Sequence, residues 1–561
     1  MSENDKRDYN TYISKLIFND NEELNVNQND IVVFVGPNNA GKSQSLKDIY
    51  ELCDSKKPST VISDIEIYKP TDSLIDYVTS ISNVQDHGNY KTYQGLNYSF
   101  NSVNDRDNRF GNAQNIFVSY LNTETRLSIC KPPQNINRNA PKTHPIHNVA
   151  FNQHYRMKIS DYFNKAFATN IIPNTQYGAT IPLCMGESIS INKENESDFL
   201  VQMENYADIL EQYPQIHNQG DGIRSFTGIL LNLIIEHHKI FLIDEPESFL
   251  HPPQARIMGH TIGSLLSDKQ QAFISTHSPE ILKGLLETCP NRIKIVRITR
   301  NDNTNHFSIL NNDEFNLLWK DPLLRHSEIM SSIFHKNVVL CESDSDCRLY
   351  SIIDSYIKET KNSFSETLFI HCGGKHRMGK VVSALKSLNI PVWIIPDIDI
   401  LNDPSVLKGL IESAGGDWNN FESKTKLLSA NLTTPNSTIN RQKYKQCVLD
   451  ILNQSSDGKL PPAEIKQLKD LLKIETKWSI VKHGGKNSIP PGDAYNAFEC
   501  LDKELKKLKI FIVPVGELEC FIKNVAGAHG PEWINKVLEQ YPDFSDAVYK
   551  DIIDFVKSWN I

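Results

Sequence analysis

The chain has 561 residues, more than one ordinary core holds, and at about 150 residues per domain it predicts two to four domains. Its 59 basic and 68 acidic side chains leave a net charge of −9, which excludes coating of nucleic acid by bulk charge and demands a local basic groove for any such binding. A hydrophobic content of 39% with 23% charged residues excludes wholesale disorder, and no apolar run approaches the roughly 18 to 20 residues of a membrane span.

The polar start MSENDKRDYN has no apolar signal core, so a cytoplasmic protein without membrane contact is expected. Ile31-Val32-Val33-Phe34-Val35 is continuously apolar, the pattern of a parallel strand covered on both faces. Beyond a glycine-rich turn, Leu46, Ile49, Tyr50 and Cys53 recur at helical spacing. The turn itself, Gly36-Pro37-Asn38-Asn39-Ala40-Gly41-Lys42-Ser43, fits G-x-x-x-x-G-K-[ST] between a strand and a helix. Such a loop aims backbone N–H groups and the helix dipole at phosphates. Gly36, Asn38, Asn39 and Gly41 therefore form the expected nucleotide cradle, Lys42 reaches the β- and γ-phosphates, and Ser43 meets Mg²⁺.

Residues 83–150 are rich in Asn, Asp, Gln and Ser and predict long loops, part of a loop-rich insertion over about 83–218. The next strand, Lys239-Ile240-Phe241-Leu242-Ile243-Asp244-Glu245, ends in two carboxylates. Asp244 suits the magnesium shell, and Glu245 suits polarisation of an attacking water. About thirty residues on, Ile274-Ser275-Thr276-His277-Ser278 offers a histidine at the end of a further strand, a candidate contact to the γ-phosphate.

A boundary near 315–335 separates these motifs from a second set. Val338-Val339-Leu340-Cys341-Glu342 puts a carboxylate at a strand end, and Asp346 follows at the start of a helix whose Leu349, Ile352, Ile353 and Tyr356 share a face. Val392-Trp393-Ile394-Ile395-Pro396 leads into Asp397-Ile398-Asp399, where residues i and i+2 of an extended chain point the same way. Clusters of carboxylate oxygens suit Mg²⁺, with Mn²⁺ as an alternative. Gly373-Gly374-Lys375 predicts a structural turn, and Lys375, His376, Arg377 and Lys380 predict either a solvated turn or a local basic groove. Residues 404–505 predict a polar, mostly helical insertion, and Phe511 to Val515 predict a last strand before Glu517 and Glu519. The ten cysteines form no C-x-x-C pair and are expected as reduced thiols.

The segments LIDEPESFLHP and STHSPEIL resemble the nucleotide-binding domain of ABC-type ATPases. That resemblance implies a signature segment at Gly220-Asp221-Gly222-Ile223-Arg224-Ser225, with Gly222, Arg224 or Ser225 completing the ATP site of a neighbouring copy in a head-to-tail homodimer or larger assembly. Glu342, Asp346, Asp397 and Asp399 resemble the acidic set of a Toprim domain, although Ser343 stands where that family usually has glycine. The resemblance implies that a late acidic residue, Glu519 or Glu517, serves a second metal. The expected fold class is therefore α/β: an ABC-type ATPase domain with a P-loop over 1–325, followed by a Rossmann-like Toprim domain over 330–561.

The two together resemble the OLD (overcoming lysogenization defect) family of nucleases. This implies an ATP-binding, metal-dependent DNA endonuclease of bacterial antiphage defence, as in Gabija-type and retron-associated systems, with catalysis by Glu245 in one domain and Glu342 and Asp397 in the other. The ATP state would gate two-metal phosphodiester hydrolysis. The resemblance also implies a lysine that steadies the transition state, for which Lys486, Lys523 and Lys536 are candidates, and it admits a reverse transcriptase with its noncoding RNA or DNA, or a helicase, as partner. DNA is favoured over RNA as substrate. The alternatives are a Toprim ribonuclease acting on transfer RNA and an ATP-driven DNA-binding sensor without nuclease activity.

Overall fold

The computed structural model describes residues 10–55, 59–70, 76–78, 90–93, 96–99, 109–187, 206–235, 237–301, 304–310, 328–433, 441–453, 460–471, 477–525 and 529–561. The chain forms two compact units, Met1–Arg325 and His326–Ile561, both mixed α/β with parallel sheets.

The first unit is built on a six-stranded sheet in the order Thr304–Ile309, Ile293–Asn301, Ile31–Val35, Gln271–Ser275, Ile240–Asp244, Val118–Leu121. Only the pairing of its first two strands is antiparallel. Ile31–Val35 and Gln271–Ser275 are buried along their whole length, as central parallel strands covered on both faces must be. The helix Lys42–Asp54 buries Leu46, Ile49, Leu52 and Cys53 against this sheet and against a three-stranded antiparallel sheet, Glu23–Asn25, Tyr12–Phe18 and Ile62–Tyr68. One buried carboxylate ties the two layers together. Asp48 Oδ2 accepts the backbone N–H groups of Thr60, Val61 and Ile62 at 3.1, 2.6 and 3.0 Å.

The region expected as a loop-rich insertion enters this core. Val118–Leu121 pairs in parallel with Ile240–Asp244, and it is followed by helices Thr123–Ser128, Pro145–Phe151 and Gln153–Phe167 and the hairpin Asn170–Pro173 with Leu183–Gly186. Four residues with a serine and a tyrosine among them are too short and too mixed to announce an edge strand in sequence. Residues 83–89, 94–95, 100–108 and 188–205 of that region lie outside the described residues.

The second unit centres on a parallel sheet in the order Thr367–His371, Asn337–Cys341, Val392–Ile395. Helix Asp344–Glu359 and the C-terminal helices Pro531–Gln540 and Lys550–Lys557 cover one face, with Leu349, Tyr350, Ile353, Trp393, Trp533, Tyr549, Phe555 and Trp559 in one apolar cluster. Phe511 to Val515 does not form the expected regular strand. Its N–H and C=O groups follow the Val392–Ile395 edge, with Phe511 N donating to Ile394 O at 2.8 Å and Val513 N to Pro396 O at 3.1 Å, but Pro514 has no N–H and the chain turns at Gly516. Between 404 and 507 the described elements are the helices Pro404–Ser413, Asn419–Leu432, Arg441–Leu452, Pro462–Leu471, Lys477–Gly484 and Asp493–Lys507 and the 3-10 turn Gly485–Ser488. All ten cysteines are free thiols, and seven are buried. Among the described residues, no helix is long and apolar enough to cross a membrane.

Candidate functional site

In the first unit, the strand carrying Ser275 lies between the P-loop strand and the strand ending in Asp244, so the three motifs meet at one sheet edge. Gly36 is demanded by the backbone: its φ is +138°, and a Cβ there would sit 2.0 Å from the carbonyl oxygen of Ile298. Asn38 and Asn39 are exposed at the loop tip, with Asn39 at φ 59°, and Gly41 opens the helix at φ 101°. Lys42 folds back along the loop, its Nζ donating to Gly36 O at 2.9 Å and Pro37 O at 2.6 Å. Burial brings its ammonium down to about 8, against the opposing pull of Glu245, Glu247 and Asp244. Ser43 is half-buried on the first helical turn.

Asp244 accepts a short hydrogen bond from Ser275 Oγ. Glu245 occupies the left-handed region at φ 46°, and its Oε1 lies 3.5 Å from His277 Nε2. Burial, then the Lys42 charge, lowers the His277 pKa against the opposing pull of Glu245 and Asp244. Two positioning residues were not legible as such. Glu247 is half-buried, and its Oε1 accepts from Thr276 Oγ1 at 2.9 Å and His277 N at 2.7 Å, which fixes the histidine loop. Arg126, fully buried, donates from Nη1 to Asp244 O at 2.6 Å and Glu245 O at 3.1 Å. A lone arginine in a polar stretch gives no sequence signal for this.

The signature segment forms the N-terminus of helix Asp221–Ile234. Gly220 and Asp221 are exposed, and Gly222 and Arg224 are half-buried. Ser225 is fully buried within its own unit, one helical turn beneath that surface, so the atoms available to a neighbouring molecule are those of Gly220 to Arg224.

In the second unit, the acidic residues lie near enough to act on one another's proton affinities, although no three of their carboxylate oxygens close to within 4.8 Å of one another. Glu342 leaves the end of the central strand, and its Oε1 accepts the Lys375 N–H at 3.2 Å while Oε2 has no hydrogen-bond partner among the described residues. The turn that delivers Lys375 needs its glycines, since Gly373 and Gly374 have φ of 70° and 117°. Asp346 caps the following helix by exchange with Ser343: Ser343 N donates to Asp346 Oδ2 at 2.8 Å, and Asp346 N donates to Ser343 Oγ at 3.3 Å. The serine in place of glycine thus supplies a capping box. Asp397 and Asp399 do not sit on an extended strand as expected. The strand ends at Ile395, Asp397 precedes a 3-10 turn over Ile398–Asn402 without capping it through its side chain, and Asp399 lies within that turn.

Their mutual field is visible in the proton affinities. Burial, then Asp346, Glu342, Asp399 and Glu517, raises Asp397 well above the usual carboxylate range. Burial raises Asp346 to about 6, with Glu342 and Glu519 adding to it against its bonds to Ser343, and burial and Asp399 raise Glu342. Glu519 accepts Gly530 N at 2.9 Å.

Two lysines balance this charge. Lys375 Nζ lies 3.1 Å from Asp399 Oδ1, and Lys482 Nζ lies 3.8 Å from Asp399 Oδ2 and 3.7 Å from Glu517 Oε2. Burial pulls the Lys482 ammonium down, but Asp399, Glu517, Asp397 and Glu342 outweigh it and leave it raised. Of the lysines singled out from sequence, Lys536 pairs with Glu532 of its own helix, and Lys486 and Lys523 are exposed. Lys482 lies one helical turn before Lys486, and nothing short of the fold distinguishes them. His376, Arg377 and Lys380 are exposed.

The donor set, all-oxygen carboxylates crowded enough to raise one another's proton affinity, has the chemistry that suits hard divalent cations. Because the folded pKa of Asp346 lies above its unfolded value near 3.8, its contribution to stability is present below that value and is lost as pH rises through about 6. A bound dication offsets the loss. Mg²⁺ or Mn²⁺ is therefore expected to raise the Tm at about pH 7.5 and to do little at about pH 5. Thermal scans in matched buffers check this, and an equal shift at both pH values contradicts it.

The AAA domain family matches residues 170–283, and the family described as Overcoming lysogenization defect protein-like, TOPRIM domain, matches residues 333–399. The chain joins an AAA-type ATPase domain to an OLD-like Toprim domain. Both imply use of nucleotide and divalent metal. The Old nuclease of Escherichia phage P2 is 19% identical over 311 residues, covering 51% of this chain and 50% of the relative. Protein ea59 of Escherichia phage lambda is 32% identical over 85 residues, covering 15% of this chain and 16% of the relative. The chain thus matches no more than half the length of either curated relative. Among solved structures, an SMC head bound to the C-terminal winged-helix domain of ScpA aligns over 55% of this chain and 99% of its own, at TM-score 0.33 and 11% identity. The SMC head domain from Thermotoga maritima aligns over 54% and 98%, at TM-score 0.29 and 10% identity.

Proposed function

We propose that this chain is an OLD-type, metal-dependent DNA endonuclease of bacterial antiphage defence, in which the nucleotide state of a head-to-tail ATPase pair gates hydrolysis at the Toprim site. The observation that carries the reading is the mutual crowding of Glu342, Asp346, Asp397, Asp399, Glu517 and Glu519, of which Asp399, Glu517, Asp397 and Glu342 also act on Lys482. Metal ions, when bound, would activate a water and stabilise the attacking and leaving oxygens of an in-line displacement. Glu342, Asp346, Asp397 and Asp399 would hold one, and Glu519 would serve a second. Lys482 would offset negative charge that builds on the phosphorus oxygens, a role a fixed ammonium fills without reorganising. In the other domain, Ser43 and Asp244 would serve Mg²⁺, Lys42 the phosphates of ATP, Glu245 the water and His277 the γ-phosphate.

Lys482→Met is expected to leave metal binding in place and to slow cleavage by about 10²–10³-fold, the usual loss for one such donor. Single-turnover cleavage with saturating Mn²⁺ checks this, and an unchanged rate removes Lys482 from the chemistry. The function itself is tested by offering supercoiled plasmid and transfer RNA with Mg²⁺ or Mn²⁺, with and without ATP. Metal-dependent nicking of the plasmid supports the reading, cleavage of the RNA alone replaces the substrate, and no cleavage of either contradicts it.

A further inference from the structure

Beside the acidic cluster, three side chains of unlike chemistry converge at the surface. One ring nitrogen of His483, one carboxylate oxygen of Glu517 and the Cys520 Sγ all lie within 4.8 Å of one another, with His483 exposed and the other two half-buried. His483 closes the helix Lys477–Gly484, and Glu517 and Cys520 belong to the turn around Leu518–Phe521. The two segments are held in register by backbone. A Cβ on Gly516 would sit 2.0 Å from Lys482 O, Lys486 N donates to Pro514 O at 2.9 Å, and Cys520 Sγ donates to the carbonyl of His483 at 3.3 Å. His483 Nδ1 already lies 2.9 Å from Glu517 Oε1.

We propose that His483, Glu517 and Cys520 form a site for a transition-metal dication of the Zn²⁺ class, with a fourth position open to water. One imidazole nitrogen, one carboxylate oxygen and one thiolate is a borderline-soft donor set that favours Zn²⁺ over Mg²⁺, which prefers oxygen alone. Ligands on a tetrahedral Zn²⁺ stand about 3.3–3.8 Å apart, given bonds of about 2.0–2.3 Å, so side-chain rotation alone closes the trio. Binding releases the Cys520 thiol proton, and the imidazole, carboxylate and thiolate then neutralise the dication.

The site shares a carboxylate with the acidic cluster: Glu517 Oε1 faces His483 while Oε2 faces Lys482 at 3.7 Å. A dication on Oε1 withdraws charge from the partner of Lys482 and loosens its hold, so occupancy acts as a brake on cleavage. This consequence rests on the nuclease reading, whereas the site itself does not.

The test titrates Co²⁺ into the full chain and reads the thiolate-to-cobalt absorption and the intense bands of tetrahedral cobalt. These are expected in the wild type and in Glu342→Ala. Cys520→Ser is expected to abolish the thiolate band, and His483→Gln to weaken Co²⁺ binding at least about tenfold. ATP binding by both variants confirms that the chain is folded. Absence of the thiolate band from the wild type, or its survival in Cys520→Ser, overturns the site. In parallel, Zn²⁺ is expected to slow Mg²⁺-dependent plasmid cleavage by the wild type and not by Cys520→Ser, and equal inhibition of both overturns the brake. If the protein cuts no substrate, the nuclease reading and the brake fail together, and the cobalt spectrum still decides the site.

Discussion

Glu342→Ala is expected to reduce cleavage by at least about 10³-fold while ATP binding is unchanged. Loss of the metal-bound arrangement removes several kcal/mol of transition-state charge stabilisation, and about 4 kcal/mol corresponds to that factor. The geometry is the ground for this expectation. It leaves the central strand of the parallel sheet, its Oε1 is fixed by the Lys375 N–H, and its bare Oε2 has burial and Asp399 against it. Asp397→Ala should match it, because Asp397 is the group that four other carboxylates crowd. Cleavage of plasmid and nucleotide binding, measured on the same preparations, check both parts. Retained cleavage in either variant contradicts the assignment, and joint loss of cleavage and nucleotide binding points to misfolding instead.

Glu245→Gln is expected to lower ATP hydrolysis by about 10²–10⁴-fold, the usual worth of a positioned general base, with ATP binding preserved. Lys42→Ala should instead abolish ATP binding, since its Nζ returns along the loop that would hold the phosphates. The two variants separate binding from turnover. If the nucleotide state gates the Toprim site, Glu245→Gln with ATP and Lys42→Ala with ATP must differ in cleavage rate, in whichever direction the gate operates. Steady-state phosphate release, nucleotide-binding titrations and plasmid nicking measure the three quantities, and equal nicking by both variants contradicts gating.

The sequence made the chemistry legible where a run of apolar residues delivers it. Ile31–Val35 before the P-loop, Ile240–Asp244 before Glu245, and Asn337–Cys341 before Glu342 are buried strands that end in functional groups, and each pattern is local. What stayed hidden depends on residues meeting across the fold. Arg126 acquires its role by reaching the Asp244 and Glu245 carbonyls from a helix 118 residues away. Lys482 acquires its role because the close approach at Gly516 brings its helix to the Glu517 loop. Val118–Leu121 is a strand because it has Ile240–Asp244 to pair with, and Phe511 to Val515 is not one because Pro514 and Gly516 end its pairing. Ser225 shows the converse: the motif spacing is right, yet the helix turns that side chain inward. The proton affinities of Asp346 and Asp397 likewise follow from burial and crowding, which no window of sequence displays.

The most direct test of the acidic cluster as a catalytic metal site is the anomalous scattering of Mn²⁺ in crystals of the wild-type chain grown above about pH 7. A peak bounded by Glu342, Asp346, Asp397 and Asp399 is predicted, with a second beside Glu519. A chain that nicks plasmid in Mn²⁺ yet shows no peak among these carboxylates would contradict the account.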